Sequence, residues 1–128
     1  MKSGPKSTVA TIVPAMRYRD AKAAIAWLCK AFGFVENAVY EDGDGLVAHA
    51  QLTFGNGMIM LGSHREDEFG HLNMLPSEAG GRVTQSAYVI VQDADAHYAQ
   101  AKAAGAEIVL VRRKPQFKDV IARHQLRF

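Results

Sequence analysis

A weak internal repeat restricts the fold of this chain more than any other feature. Asp20-Ala21-Lys22-Ala23 is echoed by Asp93-Ala94-Asp95-Ala96, and Lys30-Ala31-Phe32-Gly33 by Lys102-Ala103-Ala104-Gly105, at offsets of 73 and 72 residues. One gap reconciles the two offsets. In a chain of 128 residues, two tandem copies of one supersecondary unit are the simplest account. Each Asp stands where a helix N-cap belongs, because its carboxylate can accept from the first unpaired backbone N–H groups. Each Gly stands where the chain must leave the helix through a left-handed turn.

The unit is legible in the first copy. Residues 9–17 read as a strand, apolar and rich in β-branched side chains. Ala21, Ala24, Ile25, Leu28 and Phe32 then recur at helical spacing. A strand at 34–40, a turn through Glu41-Asp42-Gly43-Asp44-Gly45, an alternating strand at 46–54, a Gly55-Asn56-Gly57 hairpin and a strand at 58–62 complete a β-α-β-β-β order. The second copy restarts with a strand at 86–91, a helix from Asp93 to about Ala104 and a strand from Glu107. The tail from Arg112 offers one further strand at 120–128, or a replaced ending. The expected organisation is a single domain over 1–128: module one at about 8–63, a linking loop at 63–82 and module two at about 83–128. The loop carries His64, Phe69, His71, Met74 and Leu75, a mixture suited to folding over a cavity.

Composition narrows the partners. With 48% hydrophobic and 22% charged residues the chain is ordinary globular material, which excludes disorder. A net charge of +2 is too balanced for nucleic acid. From Arg112 onward six basic residues face one acid, yet only Phe117 and Phe128 interleave, short of a nucleic-acid or membrane-binding face. No apolar run approaches the roughly 20 residues of a membrane-spanning helix. Met1 to Ser7 holds Lys2 and Lys6 without the apolar stretch of a secretory signal. The one cysteine, Cys29, forms no internal disulfide, and the expected compartment is the cytoplasm. It has no evident activating neighbour and reads as inert.

Helices covering one face of a sheet leave the other free to curve around a cavity. On residues 46–54 one parity is Ala48, Ala50, Leu52 and Phe54, which suits a position under a helix. The opposite parity, Val47, His49, Gln51 and Thr53, places His49 and Gln51 on the ligand side. Trp27 offers an aromatic wall for a ligand pocket. His97 is expected to be exposed on the second helix.

Several runs together carry a resemblance. They are Thr11-Ile12-Val13-Pro14-Ala15-Met16-Arg17-Tyr18-Arg19-Asp20 with Trp27-Leu28 and Phe32-Gly33-Phe34, and Ala48-His49-Ala50-Gln51-Leu52. Gly55-Asn56-Gly57-Met58-Ile59-Met60-Leu61-Gly62 and Asp93-Ala94-Asp95-Ala96-His97-Tyr98 extend them. Over about residues 8–110 the chain resembles the glyoxalase/bleomycin-resistance/dioxygenase proteins of the vicinal oxygen chelate superfamily. The resemblance implies an α+β fold: tandem β-α-β-β-β modules forming a curved mixed sheet around a cavity. Metal-dependent members place His, Glu or Gln ligands on the cavity-facing strands, and aligned on Asp20 those positions fall on Val13, Met60 and about Ser86. Hydrocarbon, thioether and hydroxyl groups there make a poor metal site, so the resemblance implies instead a ligand pocket of His49, Gln51, Met60 and Ser86, with Tyr88 at the parity of Ser86 and Trp27 beside them. No Asp-Pro-x-Gly turn closes the second module, so that module is expected to be incomplete.

The function expected from this resemblance is metal-independent binding of a small molecule, an antibiotic or metabolite, in the cavity of a homodimer, with strand exchange as one route to it. No catalytic residue and no cofactor are expected, and neither nucleic acid nor membrane is a partner. The alternative is a lyase, isomerase or dioxygenase whose metal is held by unorthodox ligands such as His49 and His64. A third reading is a family member retained for its fold alone.

Overall fold

The computed structural model describes residues 10–114 and 117–123. Its first helix, α1 (Ala21–Phe32), starts and stops on the expected caps: the Asp20 carboxylate accepts from Ala23 N–H at 3.0 Å, and Gly33 turns out at φ 82°. Four strands follow the expected order around it: β1 (Ala15–Tyr18), β2 (Val35–Glu41), β3 (Val47–Phe54) and β4 (Gly57–Ser63). They form one sheet ordered β1-β4-β3-β2, with β1 parallel to β4 and the other pairs antiparallel. The β3–β4 hairpin closes Phe54 against Gly57, with Gly55 at φ 57°. An L side chain is strained there, which explains the glycine. Ala21, Ala24, Ile25 and Leu28 of α1 bury themselves on one sheet face against Tyr18, Ala50, Leu52, Ile59 and Leu61.

Two strand expectations are corrected. Within the described residues the first strand begins at Ala15, not near residue 9, because its ladder to β4 runs only from Ala15↔Met60 to Tyr18↔Ser63. Pro14 has no N–H to extend that ladder, although its carbonyl accepts from Met60 N–H at 2.8 Å. Val13 therefore precedes the strand, and Ala15 is the neighbour of Met60. The parity of β3 also breaks. A bulge opposite Tyr40 and Glu41 shifts the register between His49 and Val47. Val47 consequently turns into the helix-facing core and is fully buried, while Ala48 is exposed on the opposite face. Simple alternation places both the other way.

The second copy yields α2 (Ala94–Ala103), capped by Asp93, whose carboxylate accepts from Ala96 N–H at 3.0 Å. It continues into an antiparallel hairpin of β5 (Glu107–Lys114) and β6 (Phe117–Arg123). The tail strand thus starts three residues earlier than expected, and residues 124–128 lie outside the described residues. The expected strand at 86–91 carries no β-ladder, and Ser86 and Tyr88 are exposed. The first copy shows the reason. There β1 depends on β4 for its pairing, whereas β5 and β6 correspond to β2 and β3 and pair only with each other. Among the described residues nothing corresponds to β4 in the second copy.

The two helices are cross-linked by hydrogen bonds at their C-termini, where backbone carbonyls lack intrahelical partners. Trp27 Nε1–H of α1 donates to Ala104 O at 2.7 Å. In return Gln100 Nε2 of α2 donates to Lys30 O at 3.2 Å, and the His97 ring nitrogen lies 2.9 Å from Phe32 O. His97 also stacks on Phe32 (ring centroids 5.9 Å apart), so its expected exposure is corrected to half-burial in the seam. Trp27, expected in the ligand pocket, is buried in this seam instead, because its indole N–H satisfies a helix end. No helix among the described residues is long and apolar enough to cross a membrane.

Candidate functional site

The sheet face away from α1 carries two rows of side chains. One row runs Ala15–Met60–Gln51–Ala38 across all four strands. The next joins Arg17 to Gly62 on the β1–β4 side and His49 to Tyr40 on the β3–β2 side. A cavity of about 120 Å³ opens over these rows, its floor formed by Ala15, Arg17, Ala48, His49, Met60 and Gly62, with Phe69 at its edge. Of the expected pocket residues, His49 and Met60 line it. Gln51 stands beside Met60 and turns its amide toward Met58 Sδ at 3.3 Å. Ser86, Tyr88 and Trp27 lie elsewhere: the first two are exposed on a segment that carries no β-ladder among the described residues, and the last serves the helix seam.

Arg17 is the residue that sequence reasoning missed, and Phe69 comes from the loop expected to fold over the cavity. The Arg17 guanidinium is half-buried, donates from Nη1 to Ser63 O at 3.2 Å, and has its central carbon 5.1 Å from the centroid of the Phe69 ring. Cation–π attraction of this kind is worth about 0.5–2 kcal/mol, depending on desolvation. Glycine at 62 makes the arrangement possible: a Cβ there would lie 2.6 Å from Arg17 Nη1 and 3.1 Å from Ala48 O. The parity of Arg17 with Ala15 was the available signal. A charge on a short strand reads as solvated unless its neighbours are known.

Phe69 reaches the cavity because the loop after β4 is tied down at several points. The Arg65 guanidinium pairs with Asp42 in the β2–β3 turn. Glu66 bridges two imidazoles, His64 Nε2 at 3.0 Å and His71 Nε2 at 3.4 Å. The Asp67 carboxylate accepts from Gly70 N–H at 2.7 Å and sets the 3₁₀ turn Gly70–Leu72 behind Phe69. Farther along, Arg19 donates to Ser77 Oγ at 2.6 Å. The hydrogen bond from Arg65 holds the Asp42 carboxyl below its ordinary range, helped by backbone N–H groups of Asp44 and Leu46. Hydrogen bonds from His64 and then His71 do the same for Glu66.

The donors on this face fit no metal site. His49 is the sole imidazole lining the cavity, and its ring stacks near Tyr40 with centroids 6.2 Å apart. His64, the second ligand in the enzymatic alternative, is engaged with Glu66. Among the described residues no group of three His, Cys, Asp or Glu side chains is arranged to hold a metal ion. Cys29 lies on α1, and burial, with the Glu36 carboxylate, pushes its thiol up, away from nucleophilic character.

Comparisons with known proteins agree with this architecture. The family model described as Glyoxalase/Bleomycin resistance protein/Dioxygenase superfamily matches residues 9–121. The crystal structure of TioX from Micromonospora sp. ML1 is 30% identical, with a TM-score of 0.64, covering 89% of this chain and 86% of that one. The crystal structure of UcmS2 is 14% identical, with a TM-score of 0.69 over 93% of this chain and 94% of that one, and shows likeness of fold alone. Uncharacterized protein Mb0911c of Mycobacterium bovis is 33% identical over 90 residues, covering 70% of this chain and 59% of that protein. The chain thus spans about three fifths of that relative's length.

Proposed function

For a chain that belongs to the Glyoxalase/Bleomycin resistance protein/Dioxygenase superfamily, we propose metal-independent binding of a small organic molecule, an antibiotic or metabolite, on the open sheet face of a cytoplasmic homodimer. The observation that carries this reading is the cavity over Met60, Ala15 and Gly62, where thioether, methyl and hydrogen stand in place of a chelating set. With one imidazole in reach, the face has the apolar floor and sparse polar groups of a ligand pocket.

Size supports the dimer. Pockets for drug-sized molecules run to roughly 300–1,000 Å³, and about 120 Å³ is half of one at most. Residues 85–91 form no β-ladder among the described residues, and Val83 and Ile90 near and within them are 77% and 82% exposed. Exposed apolar side chains of this kind favour burial against a second copy. Sedimentation equilibrium is expected to show a dimer. A thermal-shift screen across metabolites and antibiotics is expected to find compounds that raise the midpoint in a concentration-dependent way. A monomer with no stabilising compound in a broad panel refutes the reading. Stoichiometric transition metal in protein purified without chelator, together with metal-dependent turnover, selects the enzymatic alternative instead.

A further inference from the structure

We infer that the cavity is an oxyanion site, in which Arg17 receives a carboxylate or phosphoryl group carried on an apolar body and Phe69 covers the pair. The inference rests on the small-molecule reading above and specifies its ligand class. Four observations converge on it. First, Arg17 is a half-buried cation that no carboxylate neutralises: among the described residues its contacts are Ser63 O and the Phe69 ring. Arg65, on the loop that carries Phe69, by contrast pairs with Asp42. Withdrawing a charge from water without a counter-ion is costly, so an anion arriving here relieves an existing penalty.

Second, none of the residues lining the cavity is acidic, so nothing in it repels an anion. Third, the guanidinium is pre-positioned. It lies against Gly62, whose missing Cβ leaves the space, and its position is held by Ser63 O and the Phe69 ring. The donors not committed to Ser63 remain for a ligand, and their planar fork matches the two oxygens of a carboxylate or phosphoryl group. Fourth, the rest of the floor is Ala15, Ala48 and Met60, which suits hydrocarbon, and His49 adds one polar group. The partly open space of about 120 Å³ is close to the roughly 150 Å³ of a cavity that accepts benzene in another protein, which sets single-ring compounds as the probes to test.

The test uses the full chain labelled with ¹⁵N and three single-ring probes at fixed ionic strength: benzoate, phenyl phosphate and the neutral benzamide. Benzoate or phenyl phosphate is expected to shift the amide resonances of Arg17, Ala48, His49 and Gly62, with benzamide at least about tenfold weaker, the factor expected for one charge-assisted hydrogen bond. The stronger of the two anions assigns carboxylate or phosphoryl chemistry. Arg17→Gln is expected to abolish the preference over benzamide, and Arg17→Lys to retain part of it. Spectral dispersion reports folding of each variant, and the wild-type comparison decides the matter by itself if a variant unfolds. Equal affinity for benzoate, phenyl phosphate and benzamide at these amides overturns the inference and leaves the small-molecule reading standing. Silence from both anions also overturns it. The broader reading falls only if benzamide and the compound panel are silent too.

Discussion

Replacing Trp27 by Phe separates a structural indole from a ligand-binding one. The indole N–H donates to Ala104 O at 2.7 Å, and the ring meets Phe32 edge-on at 5.2 Å between centroids. Phenylalanine keeps a ring near Phe32 but removes the donor. A neutral hydrogen bond contributes about 1 kcal/mol net, and more where the orphaned carbonyl stays shielded from water. Trp27 is 8% exposed, so the smaller ring also withdraws on the order of 40 Å² of buried apolar surface, worth about 1 kcal/mol. The expected loss is about 2–3 kcal/mol. For a chain of this size that lowers the thermal midpoint by about 6–15 °C. Trp27 is the only tryptophan, which silences intrinsic fluorescence in the variant, so urea unfolding followed by far-UV circular dichroism is the appropriate assay. Benzoate affinity is expected to match that of the wild type. A stability loss below about 0.5 kcal/mol, against the roughly 1 kcal/mol assigned to the bond alone, refutes the seam argument. Unchanged stability with lost probe binding returns Trp27 to the pocket.

Gly62→Ala presses a methyl against Arg17 Nη1 and Ala48 O, and is expected to destabilise by about 1–3 kcal/mol in urea titration and to weaken the benzoate preference. Burial pushes the Tyr18 phenol up to about 12 from 10.0. The neutral phenol therefore stabilises the fold fully below pH 10, and that contribution, about 2–3 kcal/mol, is lost as pH rises toward 12. Tyr18→Phe should flatten this alkaline limb in pH-dependent urea unfolding. Asp42 titrates below its ordinary 3.8, so its contribution is present above that value and lost as pH falls through the lower folded one. Asp42→Asn should remove that part of the acid limb, and an unchanged limb would show that the Arg65 pair carries no stability. Asp93→Ala removes the α2 cap and is expected to cost about 1 kcal/mol. Thermal unfolding by circular dichroism measures that loss, and an unshifted midpoint would contradict it.

The amino-acid order alone determined what is decided within a few residues. Asp20 and Asp93 reach backbone N–H groups three positions on, Gly33 and Gly105 supply positive φ, and Gly55 turns a hairpin, so both helices and the strand order of the first copy were readable from their local chemistry. The family resemblance rested on the same runs. What only the tertiary structure decided depends on partners far apart in the chain. Arg17 and Ser63 are 46 positions apart, and Trp27 and Ala104 are 77. Whether a strand at 86–91 forms depends on a neighbour to pair with, which its own composition does not specify. The bulge at Val47 exchanged two side chains between faces because one extra residue defeats a period of two. Local hydrogen bonds and φ preferences act through the covalent neighbourhood, while pockets form where distant strands and a pinned loop meet.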